Sequence, residues 1–288
     1  MSKRIFITAA TGNIGSNVVR HLQMTNTPFT AGVRPGEKHE LGFETVPFDF
    51  GNKKLLAEAF DGVETLFLLL PITDELEQHS VNVIEAAKNA GIKHIVRSSA
   101  AGADPNSEFP LLRVHGAIDH ALQESGIAHT ITKPSSFMQN FITFYAGSIV
   151  QGKVYSAAGD ARTAWVDVAD LGAVNASILL EPSVYGGEVL TLTGPDSFSK
   201  KEAVARIAAA TGREIAVVPI PDEAVEQMFR DWGMSDYMVG IFASTDRMAR
   251  SGILEETTTS VEDVLGRAPR DFDAFIAKHV DDWRGGGM

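Results

Sequence analysis

The sequence predicts a doubly wound α/β fold, a parallel sheet flanked by helices, followed by a smaller C-terminal α/β module. Three observations carry this expectation. The apolar run of residues 4–7 breaks into the turn Thr8-Ala9-Ala10-Thr11-Gly12-Asn13-Ile14-Gly15 and then into an amphipathic helix. Short apolar runs alternate with helix-like segments up to about residue 132, and parallel neighbours need such crossovers. Finally, Leu66-Phe67-Leu68-Leu69-Leu70 is apolar at every position, as a strand covered on both faces must be.

In chain order, the first strand leads into a helix over residues 16–23. A second strand covers 29–33 and a third 44–48. The fourth, 65–70, is bounded by Gly62 and Pro71; the fifth, 94–98, follows Gly91; the sixth, 128–132, follows Gly126. Helices fill the intervals 53–59, 75–89 and 114–124, with Val81, Ile84 and Ala87 predicted to share the buried stripe of the second. Gly91 and Gly126 supply left-handed stops for two of them. Beyond Asn140 the pieces shorten: strands at 154–155 and 163–166, a helix over 167–180, and strands at 188–192 and 214–218. Ser199-Lys200-Lys201-Glu202 has the form of a capping box for a helix ending before Gly212. Helical tails follow at 223–232 and 271–283, and Gly285 to Gly287 are expected to fray. Residues 1–140 are expected to form a dinucleotide-binding domain and 141–288 a substrate-binding module packed on it, as one continuous unit.

Composition narrows the function. The chain has 288 residues, 44% hydrophobic and 22% charged, ample for a large core. A net charge of −12, with 25 Lys and Arg that form no long run, argues against a nucleic-acid partner, because a polyanion needs a basic face. With no cysteine, disulfide and thiolate chemistry are excluded. The eight histidines show no metal-ligand spacing, so no metal site is expected. The N-terminus enters a strand without an apolar leader, and no apolar run could span a bilayer; a cytoplasmic protein without membrane contact is the expectation.

The chemistry begins at the glycine turn. A strand, a turn with Gly12 and Gly15, and a helix make a nucleotide-diphosphate site: Gly12 leaves room for a pyrophosphate, Gly15 lets helix pack on strand, and the helix start offers free N–H groups to the anion. The first glycine of the usual three is replaced by Ala9, which fits only if that position keeps φ below zero. Ala9, Thr11, Gly12, Asn13, Ile14 and Gly15 are therefore the candidate phosphate-binding residues. At the carboxyl ends of the fourth and fifth strands, Leu69, Leu70 and Pro71, and Ser98 and Ser99, would line the same crevice. Ser99 lacks the Gly-x-Ser-x-Gly elbow of a hydrolytic nucleophile.

Taken together, the Thr8 to Gly15 turn, Val33-Arg34-Pro35-Gly36-Glu37-Lys38, Asp49, Lys133-Pro134-Ser135-Ser136-Phe137-Met138-Gln139-Asn140 and Trp165-Val166-Asp167-Val168-Ala169-Asp170 resemble the NmrA-like family. This is an atypical group of short-chain dehydrogenases/reductases that includes quinone, triphenylmethane and isoflavone-type reductases. The likeness runs over nearly the whole chain. It implies a Rossmann-type fold, with Arg34, Asp49 and Phe50 around the adenosine end and Lys133 and Pro134 on the cofactor. The family usually carries Gly in place of Ala9 and Arg in place of Lys133. An arginine at the end of the second strand forks onto a 2′-phosphate, where an acidic residue would bind a 2′-hydroxyl, so Arg34, with Lys38 as a second cation, points to NADP(H).

The Tyr-x-x-x-Lys pair of ordinary short-chain dehydrogenases is absent. At the corresponding helix His115 and Asp119, four residues apart, share one face. They read either as a general acid with a supporting carboxylate or as a packing histidine beside an acid. Just past the sixth strand, Phe137, Met138 and Asn140, with Gln139 as a second amide, and Trp165 beyond them would wall a planar acceptor or else pack the module's core. The resulting expectation is an NADPH-dependent oxidoreductase that transfers hydride to a small conjugated acceptor such as a quinone, enone, imine or dye. Two other readings stay open: a non-catalytic NADP(H)-binding redox sensor, and a non-redox cyclase or isomerase using the same pocket. The expected partners are a small-molecule substrate and a second copy of the chain in a homodimer.

Overall fold

The computed structural model describes residues 4–36 and 42–284; Lys38 and Gly285 to Gly287 lie outside the described residues. The N-terminal part runs β1 (Ile5–Ile7), α1 (Asn13–Met24), β2 (Phe29–Val33), β3 (Glu44–Pro47), α2 (Lys53–Ala59), β4 (Thr65–Leu68), α3 (Leu76–Ala90), β5 (His94–Ser98), α4 (Pro110–Glu124) and β6 (Ala128–Pro134). There follow α5 (Ala146–Val150), β7 (Lys153–Ser156), β8 (Arg162–Thr163), α6 (Val168–Leu180), β9 (Val189–Leu192), β10 (Phe198–Ser199), α7 (Lys200–Thr211), β11 (Ala216–Pro219), α8 (Asp222–Asp231), α9 (Asp236–Arg250), α10 (Ser260–Leu265) and α11 (Phe272–His279). Contacts divide the chain into two compact units. One runs to Glu108 and takes in Leu112–Lys133 and Leu171–Leu190; the other holds Phe109–Leu111, Pro134–Asp170 and the chain from Thr191 onward.

The seven-stranded central sheet has the order β3-β2-β1-β4-β5-β6-β9. Its paired strands run parallel, with Ile5 opposite Phe29 on one side and Thr65 on the other. Chain order reverses between β1 and β4, so the carboxyl ends of those two strands flank the crevice where doubly wound sheets bind ligands. The core of this unit is apolar and aromatic. Phe6 stands edge-on to Phe60 with ring centroids 5.4 Å apart, Phe48 closes the same cluster, and Leu66, Leu68, Ile95 and Ile131 continue it. On α3 the buried stripe is Leu76, Ser80, Val83, Ile84 and Ala87. Val81, predicted to share that stripe, is instead 44% exposed; it lies one position off the 3.6-residue phase that Val83 and Ala87 set.

The turn between β1 and α1 departs from expectation at one residue. Ala9 has φ 49°, in the left-handed region, not the negative φ that alanine was expected to require. Thr8 explains how it is held. Its Oγ1 accepts from Leu69 N–H at 2.8 Å and lies 2.9 Å from Leu69 O, while Thr8 N–H donates to Phe67 O. The chain leaves β1 pinned to β4, then must turn within one residue so that Gly12 N–H reaches Ala9 O at 3.0 Å. Gly12 itself has φ −80°, so its lack of a side chain provides space and not conformational freedom. At Gly15 a Cβ would stand 2.1 Å from Ala9 O, and only glycine permits that approach.

The second unit carries two small ladders, β7 with β11 in parallel and β8 with β10 antiparallel. They enclose a core of Phe141, Trp165, Phe198, Phe272, Phe275 and Trp283. The capping box forms as predicted: Glu202 N–H donates to Ser199 Oγ and Ser199 N–H to Glu202 Oε2, and the helix stops at a left-handed Gly212. Asp170, fully buried, is clamped by Arg267 and Arg270.

Replacing Ala9 by glycine should relieve a left-handed alanine, worth about 1–2 kcal/mol, against roughly 0.5–1 kcal/mol of extra chain entropy lost by glycine. Ala9→Gly is expected to raise the melting temperature by about 2 °C; a lower one in thermal denaturation would show that the turn is unstrained.

Candidate functional site

The parallel register brings most of the sequence-predicted cofactor residues to one edge. Thr11, Gly12 and Asn13 are exposed at the start of α1. No side chain caps that helix and its first turn has no acidic residue, so the leading amides, which have no partner within the helix, face the edge with the positive end of the helix dipole. Ile14 and Gly15 are buried against the sheet and contribute backbone only. Arg34 follows β2, is exposed, and makes no ion pair among the described residues. Asp49 and Phe50 follow β3. The Asp49 carboxylate folds back to accept Gly51 N–H at 2.8 Å, Phe50 stands edge-on to Phe48 at 4.8 Å, and the Phe50 carbonyl accepts from Asn82. Leu69, Leu70 and Pro71 follow β4.

Behind the ends of β5 and β6 lies a buried charged cluster. Arg97 is completely buried, with its Nη1 on the Ser98 carbonyl and its Nη2 3.0 Å from His115 Nδ1. Its Nε is 3.6 Å from Asp119 Oδ1. Asp119 Oδ2 accepts from the Ser99 hydroxyl at 2.6 Å and lies 3.7 Å from Lys133 Nζ, which donates to the Ala103 carbonyl at 2.9 Å. His115 is buried, and desolvation together with the nearby Arg97 and Lys133 charges pushes its pKa down to about 3. A neutral imidazole with Nδ1 accepting from a guanidinium carries its proton on Nε2. Burial raises the pKa of Asp119 against the opposing pull of Arg97, Ser99 and Lys133.

This geometry corrects the first reading of the His115–Asp119 pair. Asp119 is engaged by Arg97, Ser99 and Lys133 and not by the imidazole, so no carboxylate supports an imidazolium; the surroundings of His115 are those of a packing histidine. Ser99 and Lys133 also turn inward, toward Asp119 and Ala103, where the expectation had them on cofactor. Among the described residues the Ser98 hydroxyl is buried without a hydrogen-bond partner, and Pro134 is buried. Arg97 was missed. The signal was present: an arginine inside the apolar run His94-Ile95-Val96-Arg97-Ser98 must be paired if that strand is covered on both faces.

In the second unit, Met138 is fully buried and Trp165 nearly so, its Nε1 donating to Phe198 O at 3.1 Å. Both belong to the core, which corrects their assignment as substrate wall: the chain after β6 folds inward, where their apolar area is removed from water. Gln139 is used at the start of α6, its Nε2 donating to Asp167 Oδ1 and its Oε1 accepting Val168 N–H. Phe137 and Asn140 are only half-buried. Among the described residues no group of His, Asp and Glu could hold a metal, and no helix is long and apolar enough to cross a membrane.

Because His115 binds a proton far more weakly folded than unfolded, the unfolded chain takes up more protons between about pH 6.5 and 3, and stability falls as pH falls through that window. The residue should contribute a loss of about 1.4 kcal/mol per pH unit below 6.5. In His115→Asn, which keeps an acceptor near Arg97 but does not titrate, that component should vanish from the pH dependence of urea unfolding; identical slopes would mean that His115 is protonated in the folded protein.

Comparison with known proteins agrees with this architecture. The chain is 33% identical over 280 residues to an NAD(P)H azoreductase of Xenophilus azovorans, covering 96% of this chain and 98% of the relative. Among solved structures, the NADPH-dependent quinone oxidoreductase of Escherichia coli complexed with NADPH superposes with a TM-score of 0.86 at 25% identity, over 95% of this chain and 99% of that one. The Citrobacter sp. triphenylmethane reductase complexed with NADP(H), at 24% identity and TM-score 0.84, shares the fold over 95% and 99% of the two chains. Residues 1–276 match the NmrA-like family, and with the fold and the turn described above the chain belongs to that family.

Proposed function

We propose that this protein is an NADPH-dependent reductase that passes hydride to a small conjugated acceptor, a quinone, an azo or triphenylmethane-type dye, an imine or an enone. The observation that carries the reading is the pairing of an uncapped α1 start, at a turn where Gly15 cannot bear a Cβ, with an exposed arginine at the end of the neighbouring β2. A diphosphate suits the amides and a 2′-phosphate suits the guanidinium fork. Relatives named for NAD(P)H-dependent azo and quinone reduction support it.

When bound, NADPH supplies the hydride. The chain would hold the diphosphate on the leading amides of α1 from Asn13 onward, read the adenosine end with Arg34, Asp49 and Phe50, and line the crevice with Leu69 and Pro71, Leu70 being part of the core. Of the four side chains expected to wall the acceptor, Phe137 and Asn140 are the two that do not belong to the core of the second unit. His115 is neutral with Nδ1 already engaged, so the proton that follows hydride comes from water, which suits acceptors whose reduced anion is delocalised. Positioning and exclusion of water then carry the rate enhancement.

The test is to mix purified protein with NADPH and panels of quinones, azo dyes, imines and enones and to follow loss of reduced-nicotinamide absorbance. Acceptor-dependent oxidation is expected. Tight NADPH binding without oxidation by any acceptor would favour a redox sensor, and product formation at the same rate with NADP⁺ would favour a cyclase or isomerase.

Arg34→Ala should weaken NADPH by on the order of 2 kcal/mol, about 30-fold in Kd, and leave NADH unchanged. Equal losses for the two nucleotides in fluorescence titrations would remove Arg34 from the 2′-phosphate.

A further inference from the structure

The segment of residues 99–108, which leaves the carboxyl end of β5 and leads toward α4, is tied down within its own unit at several points. Ser99 Oγ donates to Asp119 Oδ2 at 2.6 Å and Ser99 N–H to Thr132 O at 2.7 Å. Asp104 N–H donates to Leu112 O at 3.1 Å, and a Cβ on Gly116 would stand 2.2 Å from the Asp104 carbonyl carbon and 2.3 Å from Pro105 N. Thus α4 presses on the segment at the one place where it carries no side chain. Arg113 Nη1 donates to the Ser107 carbonyl at 2.9 Å and to the Glu108 carbonyl at 3.3 Å, and Lys133 Nζ donates to Ala103 O at 2.9 Å while lying 3.7 Å from Asp119 Oδ2.

The Lys133 ammonium is directed at a carbonyl and at a carboxylate that it shares with Arg97, so its donors face the segment within its own unit. If Lys133 were removed, Asp119 would keep Arg97 and Ser99, and the cluster would lose only its grip on Ala103. In a parallel sheet of this kind the loops beyond the carboxyl strand ends border the ligand crevice, and residues 99–105 form such a loop. We propose that Lys133 is a positioning residue, which acts through the Ala103 carbonyl to hold residues 99–105 at the crevice, and not a ligand of the dinucleotide. The inference rests on the reductase reading for its kinetic consequence but not for its structural one.

The test compares wild type, Lys133→Met and Lys133→Arg in three measurements: amide hydrogen exchange over residues 99–108, Kd for NADPH, and kcat and KM for an acceptor that wild type reduces. Methionine keeps the length of the side chain and loses the charged donor, so exchange in the segment should quicken by about tenfold or more. The value of kcat should fall by a similar factor, with Kd for NADPH within about twofold. Arginine, whose guanidinium can still donate to a carbonyl and face a carboxylate, should restore both exchange and kcat. A tenfold rise in Kd with unchanged exchange would make Lys133 a cofactor ligand and overturn the proposal; so would a fall in kcat without faster exchange, or no change in either. If no acceptor in the panel supports oxidation of NADPH by wild type, the reductase reading fails, while exchange and Kd still decide whether Lys133 holds the segment.

Discussion

The closeness of Gly15 to the Ala9 carbonyl is the constraint on which the rest of the first unit depends. A Cβ at residue 15 would lie 2.1 Å from that oxygen, so α1 can seat on the sheet only with glycine there and only if the turn is drawn tight. Thr8 does the drawing, by binding the backbone of β4 on the far side. Ala9 absorbs the curvature with a left-handed φ, which costs an alanine more than the glycine usual in this family. That the strain persists shows how strongly the surroundings determine the turn. The outcome is a helix whose first amides, uncapped, open onto the edge of the sheet.

Behind the neighbouring strand ends the same edge is stiffened electrostatically. Arg97, with no exposed surface, could not be tolerated alone in an apolar sheet. Its guanidinium is met by the Ser98 carbonyl, by His115 and by Asp119, and Asp119 passes the connection to Ser99 and Lys133. One buried cation thereby organises two strand ends and a helix. It also leaves His115 without a supporting carboxylate, and burial together with the nearby Arg97 and Lys133 charges holds its pKa well below the usual imidazole range.

Much of the fold was legible in the sequence. The strands of residues 29–33 and 94–98 and the helix of 53–59 have the predicted limits, and the capping box and its glycine stop formed at the predicted residues. These are local signals, set by apolar runs, caps and left-handed glycines. The helix over Asp236–Arg250 was not anticipated, since its buried positions include small and polar residues, Ala243, Ser244 and Asp246, that carry no clear periodic signal. In the candidate site, the turn and Arg34 were legible because they follow a strand end directly. Lys133 and Ser99 were found, but in which direction they face was not.

The sequence by itself determined the α/β alternation, the place of the glycine turn and the cation that follows the second strand, because each rests on the order of residues within one or two elements. Only the tertiary structure decided that Ala9 turns left-handed, that Val81 faces water, that Met138 and Trp165 are core, and that Asp119 pairs with Arg97 instead of supporting His115. Each of these depends on which distant segment packs alongside: Leu69 against Thr8, Phe198 against Trp165, β5 against α4. The environment of a side chain, and with it the protonation and reach of a histidine or a lysine, is a property of that packing and not of its neighbours in the chain.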